Sequence, residues 1–275
     1  MQPGTAVTLP GGTLIGGKLV REAAFRPFTG RLEHELAELA EAPQLSRPAR
    51  ATALLAAALA EIGDEPATPE RVLGLAFTDR QFLMLAFALE HCEDEQWRHL
   101  VCTCCGERFD VGFRLSALPL TPAGEGYPAV RIGVGPRELV LRVPTGADEE
   151  RVALLEAGAA RRALALACVV SIDGLPPVAA ALERLDDADV EAIDAALDAL
   201  SPQLSTTLAT ACTQCGAAQT LELDPYASAL PQRVDLYREV HALALRYHWS
   251  EPDILELPRA RRHLYLDLID AGEQR

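Results

Sequence analysis

Apolar positions along the chain switch between a spacing of two and a spacing of three to four, and the switches mark the elements. TAVTLPGGTLIGGKLV, from Thr5, holds two β-prone runs around Gly11-Gly12 and predicts a hairpin. From Arg31 the spacing turns helical. Leu32, Leu36, Leu39 and Ala40 recur on one face, and RPARATALLAAALAEIG predicts a helix that stops at Gly63. Thr68 and Pro69 suit the cap and first position of the next helix. TDRQFLMLAFALEH follows, with Asp79 as a second cap. Its apolar residues Phe82, Leu83, Leu85, Phe87 and Leu89 cover more than one face, the pattern of a buried helix.

Beyond Val101 the spacing returns to two. Phe109, Val111, Phe113 and Leu115 line one face of a strand, and AVRIGV and ELVLRV flank Gly135-Pro136-Arg137 as a hairpin. TGADEERVALLEAGAARRALALA carries acids early and arginines late, the order that complements a helix dipole. Asp186 or Asp187 opens another helix, with Val190, Ile193, Ala196, Leu197 and Leu200 on one face. LSTTLATA leads to a further alternating pair, Leu221 and Leu223, and residues 234–269 read as helical. The expected architecture is α+β and mainly helical. It comprises an N-terminal β-hairpin arm (1–30), a helical region (31–100), a β region (101–233) with an inserted hairpin and helices (129–200), and a C-terminal helical hook (234–275).

Two knuckles change this picture most. VCTCCGERFDV starts at Val101 and ACTQCGAAQTL at Ala211, so Cys-Thr-x-Cys-Gly is written twice, each time before a strand. Two residues between cysteines let both sulfurs reach one ion, and Gly106 and Gly216 relieve the backbone where it bends toward them. The pattern predicts a small zinc-ribbon subdomain in which Cys102, Cys105, Cys212 and Cys215 bind one structural Zn2+. A redox pair or an iron–sulfur cluster uses the same residues, although a redox CxxC normally opens a helix. Cys104, inside the first knuckle, could compete with Cys105. His91 and His99, placed by the pattern around a helix end before the first knuckle, are further candidate ligands, while Cys92 and Cys168 suit buried core positions.

Composition narrows the function. The 275 residues carry a formal net charge of −15, which repels polyanions and argues against nucleic acid unless a basic patch is built locally. No apolar run of about 18 residues lacks both charge and proline, and the N-terminus has no secretion-signal pattern, so a cytoplasmic protein without a membrane partner is expected. Seven cysteines, an odd number, fit metal chemistry better than a disulfide framework. GTLIGGKL at Gly12 lacks the Ser or Thr of a phosphate-binding loop, and HELAE at His34 lacks the second His of a zinc-protease helix. No nucleophile with a base and an orienter stands out, so neither an enzyme nor a small-molecule substrate is expected. In the C-terminal segment, Ser250 and Asp253 resemble a capping box, and Pro258 can open the last helix. Trp249, Arg259, Arg261, Arg262 and Tyr265 form a cluster of interface-prone residue types that predicts a partner-docking surface.

In order along the chain, REAAFRPFTGRLEHEL, FTDRQFLMLAFAL, CTCCGERFDVGF, LDDADVEAIDAALDALSP, CTQCGAAQTLELDP and YHWSEPDILELPRARRHLYLDLI resemble the zinc-ribbon baseplate and tail-assembly proteins of contractile phage tails and related injection systems. Some of these are described as T-even-type baseplate hub assembly proteins or tail assembly chaperones. The resemblance implies a non-enzymatic assembly factor or baseplate component, with baseplate or tail proteins as partners and the four knuckle cysteines as metal ligands. Cys104 departs from the pattern. The alternative is a zinc-ribbon protein that binds nucleic acid or regulates.

Overall fold

The N-terminal hairpin forms, but its turn lies at Gly16 and Gly17. The computed structural model describes residues 5–228 and 233–273; the remaining positions of the expected N-terminal arm, β region and C-terminal region lie outside these. Strand β1 (Ala6–Ile15) runs past Gly11 and Gly12 and pairs antiparallel with β2 (Lys18–Phe25), with a register break between Thr8 and Thr13. The break has a cause elsewhere in the chain. The Gly11 and Gly12 N–H groups each donate to the buried Asp79 carboxylate at 2.8 Å, and Tyr127 donates its hydroxyl to the Gly12 carbonyl at 2.8 Å. Asp79 therefore does not cap its own helix. It compensates for two backbone donors that the bulge takes out of the ladder.

Helices α1 (Gly30–Ala40) and α2 (Arg47–Ala58) follow, capped by Thr29 and Ser46. The helix expected to reach Gly63 ends at Ala58. Leu59 and Ile62 are fully buried in strand β3 (Leu59–Ile62), which pairs with β2, and β4 (Glu65–Pro66) completes a four-stranded sheet. Burial of two branched side chains on the sheet outweighs a modest helix preference. Thr68 caps α3 (Pro69–Gly74), and α4 (Phe77–His91) crosses the core against Leu9, Phe25, Phe28, Leu36, Leu54 and Leu55.

The segment before the first knuckle is a strand, not a helix end. β5 (Glu95–Val101) pairs along its whole length with β6 (Arg108–Arg114), and a 3-10 turn (Leu115–Ala117) returns the chain to the core. After β7 (Leu120–Thr121), strands β8 (Ala129–Val134) and β9 (Arg137–Arg142) form the expected hairpin. The next helix is broken in two, α5 (Gly146–Val152) and α6 (Ala157–Ala167). Then comes β10 (Val169–Ile172), a third strand beside β9, followed by α7 (Ala179–Leu182) and α8 (Asp187–Leu200). Asp186 caps α8 through a reciprocal box with Asp189.

Leu139, Leu141, Cys168, Val169, Val190 and Ile193 form a core within residues 129–200 that is separate from the main one. Arg80, fully buried on α4, fastens it in place. Its Nη2 donates to the Pro48 carbonyl at 3.0 Å and to Thr52 at 2.9 Å, and its Nη1 lies 3.7 Å from the Glu149 carboxylate of α5. Burial pushes Glu149 up to about 7 even with Arg80 alongside.

β11 (Gln203–Leu204) pairs with β7, and β12 (Thr207–Ala211) with β13 (Ala218–Glu222). Helix α9 (Pro225–Ser228) lies against α4. Three helices end the chain: α10 (Arg233–Tyr247), α11 (Glu251–Leu255), capped by Ser250, and α12 (Arg259–Glu273). Leu236, Val240, Leu243, Ile254 and Ile269 form a small core there, with Trp249 and Tyr265 partly buried beside it. The whole is a mixed α/β protein. No described helix is long and apolar enough to cross a membrane.

Candidate metal centre

Both knuckles sit at hairpin tips, the first between β5 and β6 and the second between β12 and β13, and they repeat the same hydrogen bonds. The Gly106 N–H donates to the Cys102 carbonyl at 3.0 Å and the Gly216 N–H to the Cys212 carbonyl at 2.9 Å. The Cys102 N–H meets the Glu107 carbonyl, and the Cys212 N–H the Ala217 carbonyl, both at 2.9 Å. Both glycines adopt positive φ, 76° and 71°, as this tight turn requires. The turn brings backbone N–H groups around the first sulfur of each pair: Cys104 donates to Cys102 Sγ and Gln214 to Cys212 Sγ, each at 3.4 Å.

The two tips face one another. Cys102 Sγ lies 3.7 Å from Cys215 Sγ, Cys105 Sγ lies 3.7 Å from Cys212 Sγ, and all four sulfurs fall within 4.8 Å of one another. These are not disulfides, which need about 2.05 Å. They match the edge of a tetrahedron about one ion with metal–sulfur bonds of about 2.3 Å, an edge of about 3.8 Å. Cys102 and Cys212 are buried, with Phe109, against Leu100, Val111 and Ala217, while Cys105 and Cys215 face outward.

The thiol electrostatics fit a cation. The Cys105 N–H, reinforced by that of Cys104, holds the Cys102 thiol down at about 6. Cys215 gains from the Ala217 N–H but is pushed up to about 12, chiefly by its neighbour Cys105. The backbone N–H groups let one thiol ionise readily, but each thiolate then disfavours the next, so a full set of four needs a positive charge between them.

The other sequence candidates fall elsewhere. Cys104 is exposed and stands outside the four-sulfur group; it contributes its backbone N–H, as Gln214 does in the other knuckle. His91 is partly buried at the end of α4, its ring stacked on Phe28 with centroids 4.2 Å apart, and His99 is exposed on β5, bonded to Asp110 across the hairpin. Cys168 is fully buried, and burial pushes its thiol up to about 12. The chain matches no family model, no curated protein and no solved structure.

Residues 249–265 hold one correction. Tyr247, Trp249 and Tyr265 form a ring cluster, with Trp249 4.9 Å from each of the other two, and Arg261 is exposed over the Tyr265 ring. Arg259 lies over Phe28 and 3.6 Å from Glu33. Arg262, expected on the docking surface, is fully buried, because it neutralises Glu33 and Glu239 inside the fold. One tie had no sequence signal beyond its polarity. The Gln219 Oε1 accepts from the Thr103 N–H at 3.1 Å and its hydroxyl at 3.2 Å, joining one hairpin to the other beside the sulfurs.

Proposed function

We propose that the four cysteines hold one structural zinc ion in a zinc ribbon and that the protein is a non-enzymatic assembly factor or structural component of a contractile tail or injection-system baseplate. The observation that carries the metal reading is the convergence of four sulfurs from two hairpins more than a hundred residues apart, at single-ion spacing. A tetrathiolate shell is complete without water or substrate, which suits a structural role rather than a Lewis-acid one. Zinc is preferred to an iron–sulfur cluster, whose thiolates bind different irons and spread further apart.

The assembly role rests on the ordered resemblance and on the exposed Arg261 beside the partly buried Trp249 and Tyr265, types enriched where proteins meet. Nucleic acid is the weaker alternative. The outer face of the first hairpin shows Trp97, 58% exposed, with His99, Arg108 and Arg114; Asp110 lies opposite His99 and Glu95 opposite Arg114, which leaves Arg108, among the described residues, as the one cation of that face without an acid across the hairpin, too little for a basic patch.

The test is co-purification of tagged full-length protein from cells that produce contractile particles, with bound proteins identified by mass spectrometry. Tail or baseplate subunits should be recovered and depleted by Arg261→Glu. Recovery of nucleic acid in place of such subunits would contradict the proposal.

A further inference from the structure

Two cavities, of about 460 and 490 Å³, share Phe77, Gln81 and Thr206 as common walls, so they are halves of one groove. It runs along the start of α4, where the second hairpin and residues 144–204 come together. One half is closed by Glu149, Glu222, Leu223 and Tyr226; the other by Pro144, Leu164, Leu197 and Asp198. The shared ridge carries an aromatic ring at the surface, as Phe77 is 38% exposed. Charge is one-sided. Four carboxylates line it among the described residues: Asp224 is paired with Arg47 at 2.7 Å and Glu149 faces the buried Arg80 at 3.7 Å, which leaves the exposed Asp198 and Glu222, one in each half, as the acids turned to solvent.

We propose that this groove binds an extended, basic segment of a partner protein, with apolar side chains against Phe77 and Leu164 and Lys or Arg side chains toward Glu222 and Asp198. The arrangement favours a peptide over a small amine, because two open halves on either side of an aromatic ridge, each with its own exposed carboxylate, suit successive side chains of one strand. The surplus of carboxylates decides the sign of the partner's charge and makes its capture salt-dependent. This site lies apart from the four sulfurs and from the C-terminal surface, although Thr207 and Glu222 come from the base of the second hairpin.

The test uses the full chain and a fluorescein-labelled hexapeptide of alternating leucine and lysine, followed by anisotropy. Saturable binding that weakens with salt is expected, with no binding of the leucine–glutamate counterpart. Phe77→Ala should weaken binding about tenfold, the loss typical of a truncated aromatic anchor. The exposed pair Asp198→Lys and Glu222→Lys should weaken it at least as much at unchanged melting temperature. Asp198→Asn, a milder change, should give a smaller loss in the same direction. Equal binding of the two peptides, no saturation at millimolar peptide, parental affinity in the charge-reversed variant, or complete displacement by equimolar spermidine would each overturn the proposal.

Discussion

Arg262 of the last helix and Glu33 of the first form an ion pair sealed from solvent. The Arg262 guanidinium also donates to Glu239 at 2.9 Å and to the Leu257 carbonyl at 3.0 Å. Two backbone bonds run alongside, from the Arg259 N–H to the Phe28 carbonyl at 2.8 Å and from the Gly30 N–H to the Leu257 carbonyl at 3.3 Å. The C-terminal helices are thus fastened to the body, and removing one partner leaves a buried charge behind. Arg262→Ala should destabilise the protein by about 3–5 kcal/mol. Arg261→Glu, on the exposed side, should stay within about 0.5 kcal/mol of the parent. Urea denaturation checks both, and an Arg262→Ala protein of parental stability would refute the pairing.

Gly146 opens α5 directly against Arg80, and a Cβ added there would overlap the Arg80 Nη1 atom. Arg80 is fully buried, and moving its guanidinium would give up the Nη2 bonds to Pro48 and Thr52. Gly146→Ala should therefore cost about 2–4 kcal/mol, well above the usual effect of a surface substitution. Thermal unfolding followed by far-UV circular dichroism reads the loss.

Asp79 sets a pH dependence of stability. Burial pushes its carboxyl up to about 6, outweighing the two glycine N–H groups that favour the charged form. Between about pH 4 and 6 the unfolded chain has released this proton while the folded protein keeps it. The contribution of Asp79 therefore falls as pH rises through that window and is flat above it, by an amount on the order of 3 kcal/mol. In Asp79→Asn this slope should vanish, while one glycine N–H loses its acceptor and overall stability drops. Denaturation at pH 4.5, 5.5 and 6.5 for both proteins isolates the difference, and identical slopes would show that Asp79 is ionised throughout.

Gly106 and Gly216 have open space around the missing Cβ, so only their positive φ demands glycine. Alanine at either position should cost about 1–2 kcal/mol per site and weaken metal retention against a chelator by a similar amount. Equal losses at the two positions are expected because the knuckles share one hydrogen-bond pattern.

What could be read from the sequence was local. Thr68, Asp186 and Ser250 cap as their spacing predicts, AVRIGV and ELVLRV pair, and the four cysteines of the two knuckles meet. What could not be read was decided across the chain. The alternation in EQWRHLV was as regular as that after the knuckle, yet it adjoins a strong helix, and only pairing with β6 settles it as a strand. Leu59 and Ile62 leave a helix-forming run because β2 offers them a sheet. Gly11-Gly12 had the composition of a turn, but a carboxylate 68 residues away claims their N–H groups. Arg80 and Arg262 carry no sequence mark of burial, since their acidic partners lie far along the chain.

Native mass spectrometry of the full chain, purified without chelator, tests the central claim that one metal ion clamps the two hairpins. One bound zinc per chain is expected, retained in Cys104→Ser and lost in Cys105→Ser and Cys212→Ser. A metal-free parent, a mass matching an iron–sulfur cluster, or zinc kept by Cys105→Ser and lost by Cys104→Ser would contradict it.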